Sequence, residues 1–89
     1  PYERYRASGE INTTVTDPAA TVDKVAAVLQ AQGVDVDRMD GLTANYADWW
    51  FNLRPSNTEP LLRLNVEAAT DDEVARRVGE VQKLIEENR

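Results

Sequence analysis

The chain has no cysteine and no histidine. Their absence removes disulfides, thiol chemistry, histidine acid–base work and the common zinc sites. No apolar run approaches the roughly 20 residues that cross a bilayer, so no membrane partner is expected. Positive charge is scarce as well: ten Lys and Arg stand against sixteen Asp and Glu, a formal charge of −6. That balance repels polyanions at long range and leaves no basic stripe for nucleic acid, so an anion site would have to be local. The chain opens on Pro1 with Pro-Tyr-Glu-Arg-Tyr-Arg, lacking an initiator Met and the basic-then-apolar pattern of a signal peptide. It therefore reads as a piece of something longer, and a cytoplasmic location fits these absences.

What is present fits one soluble domain. Eighty-nine residues allow one modest core, because a chain this short buries only about 60% of the surface its unfolded form exposes. A composition 42% apolar and 29% charged is that of a globular domain rather than a disordered tail.

Periodicity divides the chain into six elements. Ile11, Thr13 and Val15 alternate with polar neighbours as in a half-buried strand. Asp17 as N-cap, Pro18 at the first helical position, a stripe of Val22, Val25, Ala26 and Leu29, and Gly33 beyond the end predict a helix. Val34, Val36 and Met39 predict a second strand that ends at the hairpin dipeptide Asp40-Gly41. In residues 45–53, Trp49, Phe51 and Leu53 share one face of a third strand and Trp50 and Asn52 the other. In a fourth, Leu62, Leu64, Val66 and Ala68 oppose Arg63, Asn65 and Glu67. A capping box from Thr70 to Glu73, then Val74, Val78, Val81 and Ile85, predicts a closing helix. The order β-α-β-β-β-α predicts an α+β fold, a four-stranded antiparallel sheet with both helices on one face. A ferredoxin-like order would need a helix between the last two strands, where only a loop fits.

That loop, Arg54-Pro55-Ser56-Asn57-Thr58-Glu59-Pro60, is the chemically unusual stretch. A phosphate monoester needs converging donors. Arg54 offers a planar fork, Ser56 and Thr58 hydroxyls, Asn57 an amide NH₂, and a tight turn adds backbone N–H groups. Pro55 and Pro60 restrict both ends, which lowers the entropic cost of binding. Pro, Ser, Asn and Thr are also ordinary turn residues, so composition alone favours a plain hairpin loop over a phosphate cradle.

Residues 45–68 resemble the signature of the C-terminal domain of the α-D-phosphohexomutases, in particular the bacterial phosphomannomutase/phosphoglucomutase branch. Ser8-Gly9-Glu10-Ile11-Asn12 resembles the opening of that domain, Asp40-Gly41 its mid-domain turn, and the loop at 54–60 its phosphate-binding loop. Asn57 stands where the phosphoglucosamine mutases usually carry Gly, which favours the first branch and leaves the other as the alternative. The resemblance implies a fold like half of the TATA-binding protein. It also implies a parent in which an upstream phosphoserine, with magnesium beside it, transfers its phosphoryl group to a hexose monophosphate, the bisphosphate reorients, and the other phosphate returns to the serine. This domain would grip the phosphate that is not reacting. Arg54, Ser56, Asn57 and Thr58 match the family's phosphate ligands, while Pro55, Glu59 and Pro60 would shape the loop. The nucleophile region, the magnesium loop and the sugar-specificity loop have no counterpart here. No catalytic residue, metal ligand or cofactor is therefore expected in this chain, and alone it should be catalytically silent. Residues 1–9 would be a connection from upstream domains, able to hinge, and residues 10–89 the phosphate-binding domain.

Other residues have simpler expectations. One of Trp49 and Trp50 should face the core and the other should pack on a neighbouring domain or cover the sheet, with sugar stacking as the alternative. Asp71, Asp72 and Glu73 suit a helix N-terminus better than a metal. Arg76, Arg77 and Lys83 should form a solvated helix face with Glu73 and Glu80. Two rivals of another class stay open: a non-catalytic interaction or regulatory domain using the Trp50 and Arg63 face, and an RNA-binding sheet with Trp platforms, which the charge disfavours.

Overall fold

The computed structural model describes residues 5–89. Two short strands, β1 (Arg6–Ala7) and β2 (Ile11–Thr14), precede helix α1 (Pro18–Ala31). Strands β3 (Asp35–Asp37), β4 (Leu42–Asn45), β5 (Trp49–Pro55) and β6 (Leu61–Ala68) then lead to helix α2 (Asp71–Asn88).

The α+β class and the antiparallel sheet stand as expected, but among the described residues the sheet has six strands rather than four. One extra strand is β4. The stretch expected as a single strand over residues 45–53 breaks after Asn45, where Tyr46 N–H donates to the Trp49 carbonyl at 2.9 Å and turns the chain into a hairpin. The other is β1, which pairs with β6 alongside β2, Arg6 opposite Ala68 and Ile11 opposite Leu64. Between them Ser8 keeps the edge bonded: its N–H donates to the Val66 carbonyl and its hydroxyl accepts from Val66 N–H at 3.0 Å. Across the sheet the order runs β1 and β2, then β6, β5, β4 and β3. The expected connection at residues 1–9 lies partly outside the described residues.

Alternation along β5 and β6 sorts the side chains by face. Phe51, Leu53, Leu62, Leu64 and Val66 are all 0% exposed. They meet Val22, Val25 and Leu29 of α1 and Val81 and Ile85 of α2 in one core, so both helices cover the same face. Both helix starts are capped as expected: Asp17 accepts from Ala20 N–H at 3.1 Å, and Thr70 Oγ1 accepts from Glu73 N–H at 3.1 Å.

Trp49 faces the core, stacked on Tyr46 at 4.1 Å between ring centroids. Trp50 lies half-buried on the open face. Arg77 departs from the expected solvated stripe: its guanidinium lies 4.7 Å from the centroid of the Trp49 ring, where cation–π attraction and the buried stem outweigh hydration.

Candidate functional site

The β5–β6 register brings the loop to one end of the sheet. Leu53 pairs with Leu64, Arg54 with Arg63 and Pro55 with Leu62, leaving residues 56–60 as the connection. Ser56 closes it: its N–H donates to the Leu61 carbonyl at 2.9 Å, and its hydroxyl accepts from the N–H groups of Thr58 at 3.3 Å and Glu59 at 3.2 Å. Those two N–H groups therefore point into the loop, and Ser56 keeps its own O–H for an outside acceptor. The Glu59 carbonyl accepts from Leu61 N–H, and the Pro60 carbonyl from Val15 N–H at 2.9 Å, which ties the loop to the segment leading into α1. Asn57 and Thr58 are exposed at the tip.

These residues border an open cleft of about 720 Å³. Arg54, Ser56, Asn57 and Thr58 line it, joined by Arg38 and Arg63. Pro55 lines it as well. Arg54 is half-buried, and its Nε is wholly buried without a hydrogen-bond partner. Its Nη1 lies 3.7 Å from Asp40 Oδ2, beyond good hydrogen-bond length.

Arg63 stands directly opposite Arg54. Like charges at such positions repel, so an anion between them would be stabilising. Glu10 holds Arg63 at 2.9 Å, and Asp23 of α1 holds Arg38 at 2.8 Å. Arg38 Nε also donates to the Gly41 carbonyl at 3.3 Å. Neither Arg38 nor Arg63 was expected at the site. Counting residues across the loop places Arg63 opposite Arg54 once the hairpin register is known, whereas nothing in the sequence brings Arg38 there. Among the described residues no three carboxylates gather where they could hold a metal ion.

The described residues thus form an α+β domain whose sheet ends in a cleft lined by three arginines. The family model described as phosphoglucomutase/phosphomannomutase, C-terminal domain, matches residues 10–84, and the chain belongs to this family. It is 52% identical over 67 residues, 75% of its length, to a phosphomannomutase of Salmonella typhimurium, of which it covers 15%. With a protein of Xanthomonas campestris called phosphohexose mutases it shares 44% identity over 84 residues, 93% of this chain and 19% of that one. A crystal structure of a phosphoglucomutase/phosphomannomutase family protein from Burkholderia thailandensis superposes with a TM-score of 0.72 at 26% identity, covering 93% of this chain and 18% of that one. The chain thus spans less than a fifth of the length of each of these relatives.

Proposed function

We propose that the cleft grips the non-reacting phosphate of a hexose phosphate while a phosphoryl group moves between the sugar's 1 and 6 positions. The observation that carries this is Arg54: an arginine at the cross-strand position opposite Arg63, its Nη1 too far from Asp40 for a good hydrogen bond, at a cleft lined by hydroxyl and amide donors. Arg54 and Arg63 supply charge, Ser56 and Thr58 supply O–H donors, and Asn57 supplies its NH₂. Donors placed around a tetrahedral anion serve the 1-phosphate and the 6-phosphate alike, as a mutase requires. Phosphoryl transfer depends on positioning and electrostatics, and this grip contributes orientation.

In this reading residues 10–89 are the C-terminal phosphate-binding domain of a cytoplasmic phosphomannomutase/phosphoglucomutase with a TATA-binding-protein-like fold, and residues 1–9 lead from upstream domains. The transferring serine and magnesium belong to those domains, so the chain alone is catalytically inactive. No helix among the described residues is long and apolar enough to cross a membrane.

The test is an amide NMR titration with mannose 6-phosphate, using unphosphorylated mannose as control. Shifts clustered at residues 54–58 with the phosphate alone, at a Kd on the order of millimolar or about −4 kcal/mol, support the reading. A silent loop at high ligand, or equal response to mannose, sinks it.

A further inference from the structure

The three arginines of the cleft each face one carboxylate, and the three pairs differ. Arg38 and Asp23 meet at 2.8 Å and Arg63 and Glu10 at 2.9 Å, both hydrogen-bonded. Arg54 and Asp40 stand 3.7 Å apart without a hydrogen bond, and the Asp40 side chain is 77% exposed. The looseness does not come from the backbone. The Asp40 carbonyl accepts from Asn52 Nδ2 at 2.9 Å, and the same amide donates to Thr43 Oγ1 at 3.0 Å. One residue on, the Gly41 carbonyl accepts from Arg38 Nε. A fixed turn therefore presents a free carboxylate to the cation that the phosphate reading places at the centre of the grip.

Resting on that reading, we propose that Asp40 is a built-in counter-anion: it neighbours Arg54 in the empty cleft, gives way when phosphate enters, and keeps the grip weak enough to reverse. The three arginines and their three carboxylates sum to zero formal charge. A phosphate dianion thus meets arginines already matched by carboxylates, Glu10 reaching Arg63 from outside the cleft lining, and displaces the one carboxylate that is not hydrogen-bonded to its arginine. A site that must hold one phosphate, release it and accept the other in each catalytic cycle gains from this exchange, because tight retention would stall the reorientation.

The prediction is a gain of affinity, which a merely structural role would not produce. The chain is titrated with inorganic phosphate by amide NMR, as wild type, Asp40→Asn, Asp40→Ser, Asp23→Asn and Arg54→Ala. Asn and Ser both suit a turn, and the bond from Asn52 to the backbone carbonyl survives either change. Removing one charge a few ångströms from a solvated anion is expected to tighten binding about three- to tenfold in both Asp40 variants, and less at high salt. Asp23→Asn makes the same charge change at a different arginine and should tighten binding less. Unchanged or weaker binding in the Asp40 variants, or an equal gain in Asp23→Asn, overturns the role of Asp40. If wild type binds through residues 54–58 and loses this with Arg54→Ala, the phosphate reading stands even then. If wild type and Arg54→Ala are equally unresponsive, the phosphate reading fails and takes the counter-anion with it.

Discussion

Gly41 and Arg54 are in such close contact that a Cβ on the glycine would lie 2.5 Å from Arg54 Cγ and 2.8 Å from the Leu53 carbonyl oxygen. Gly41 also has φ of +69°, a left-handed conformation that L side chains rarely adopt. The turn between β3 and β4 thus acts as a backstop for the Arg54 stem. Gly41→Ala should destabilise the fold by about 2 to 4 kcal/mol, from backbone strain plus overpacking, as read by urea unfolding. It should also weaken phosphate binding in the protein that remains folded. A neutral effect on both would mean that the contact relaxes without cost.

Arg54→Ala should abolish the phosphate-dependent shifts, whereas Trp50→Ala should leave them nearly unchanged. The first removes a permanent charge and the fork that can meet two oxygens, while the second lies two strand steps away on the open face. Equal losses would point to the Trp50 face as an interface instead.

Arg63→Gln separates binding from folding. Without ligand the loss of the partly exposed Glu10 pair is offset by relief of repulsion from Arg54, so stability should change by less than about 1 kcal/mol. The rise in melting temperature that phosphate gives the wild type should shrink. Thermal melts with and without phosphate read both effects, and an undiminished rise would remove Arg63 from the cradle.

Phe51 lies at the centre of the core and is fully buried. Phe51→Ala should cost about 3–5 kcal/mol, a large share of the stability of so small a domain. Chemical denaturation checks this, and a cost below about 1 kcal/mol would mean that the helices collapse into the gap.

Glu73 sets an acid dependence. A hydrogen bond from Arg76 and the charges of Arg76 and Arg77 hold its carboxylate below the usual range, against a smaller opposing effect of burial. A folded pKa below the unfolded one gives stability that is fully present above the unfolded value and lost as pH falls through the folded value. Wild type should therefore exceed Glu73→Gln in stability at about pH 7, and the gap should close at about pH 2. A gap independent of pH would assign the residue to packing alone.

Much of the fold was legible because local chemistry and burial agreed. Asp17 and Thr70 marked the two helix starts, and the alternation from Trp49 to Leu53 and from Leu62 to Ala68 separated core from surface. The split between β4 and β5 was not legible, because Tyr46-Ala47-Asp48 has neither Gly nor Pro to announce a turn and the apolar spacing runs on across it. β1 was missed because two residues carry no period, and its partner on β6 is some sixty positions away. At the site, the loop residues were legible because they are contiguous. Arg38, Arg63 and the Gly41 backstop required tertiary register, which brings them to Arg54 from separate strands and turns.

The placement of β6 has a kinetic consequence. It lies between β5 and the β1–β2 edge, so two of its pairings join segments about fifty or more residues apart, while its pairing with β5 closes only a short loop. Local hairpins can form first, but the sheet cannot be completed until the chain has been synthesised through residue 68, leaving β1 and β2 unpaired until then. The β5–β6 hairpin, which carries the candidate loop, closes over only five residues, whereas joining the N-terminal edge costs a long loop closure.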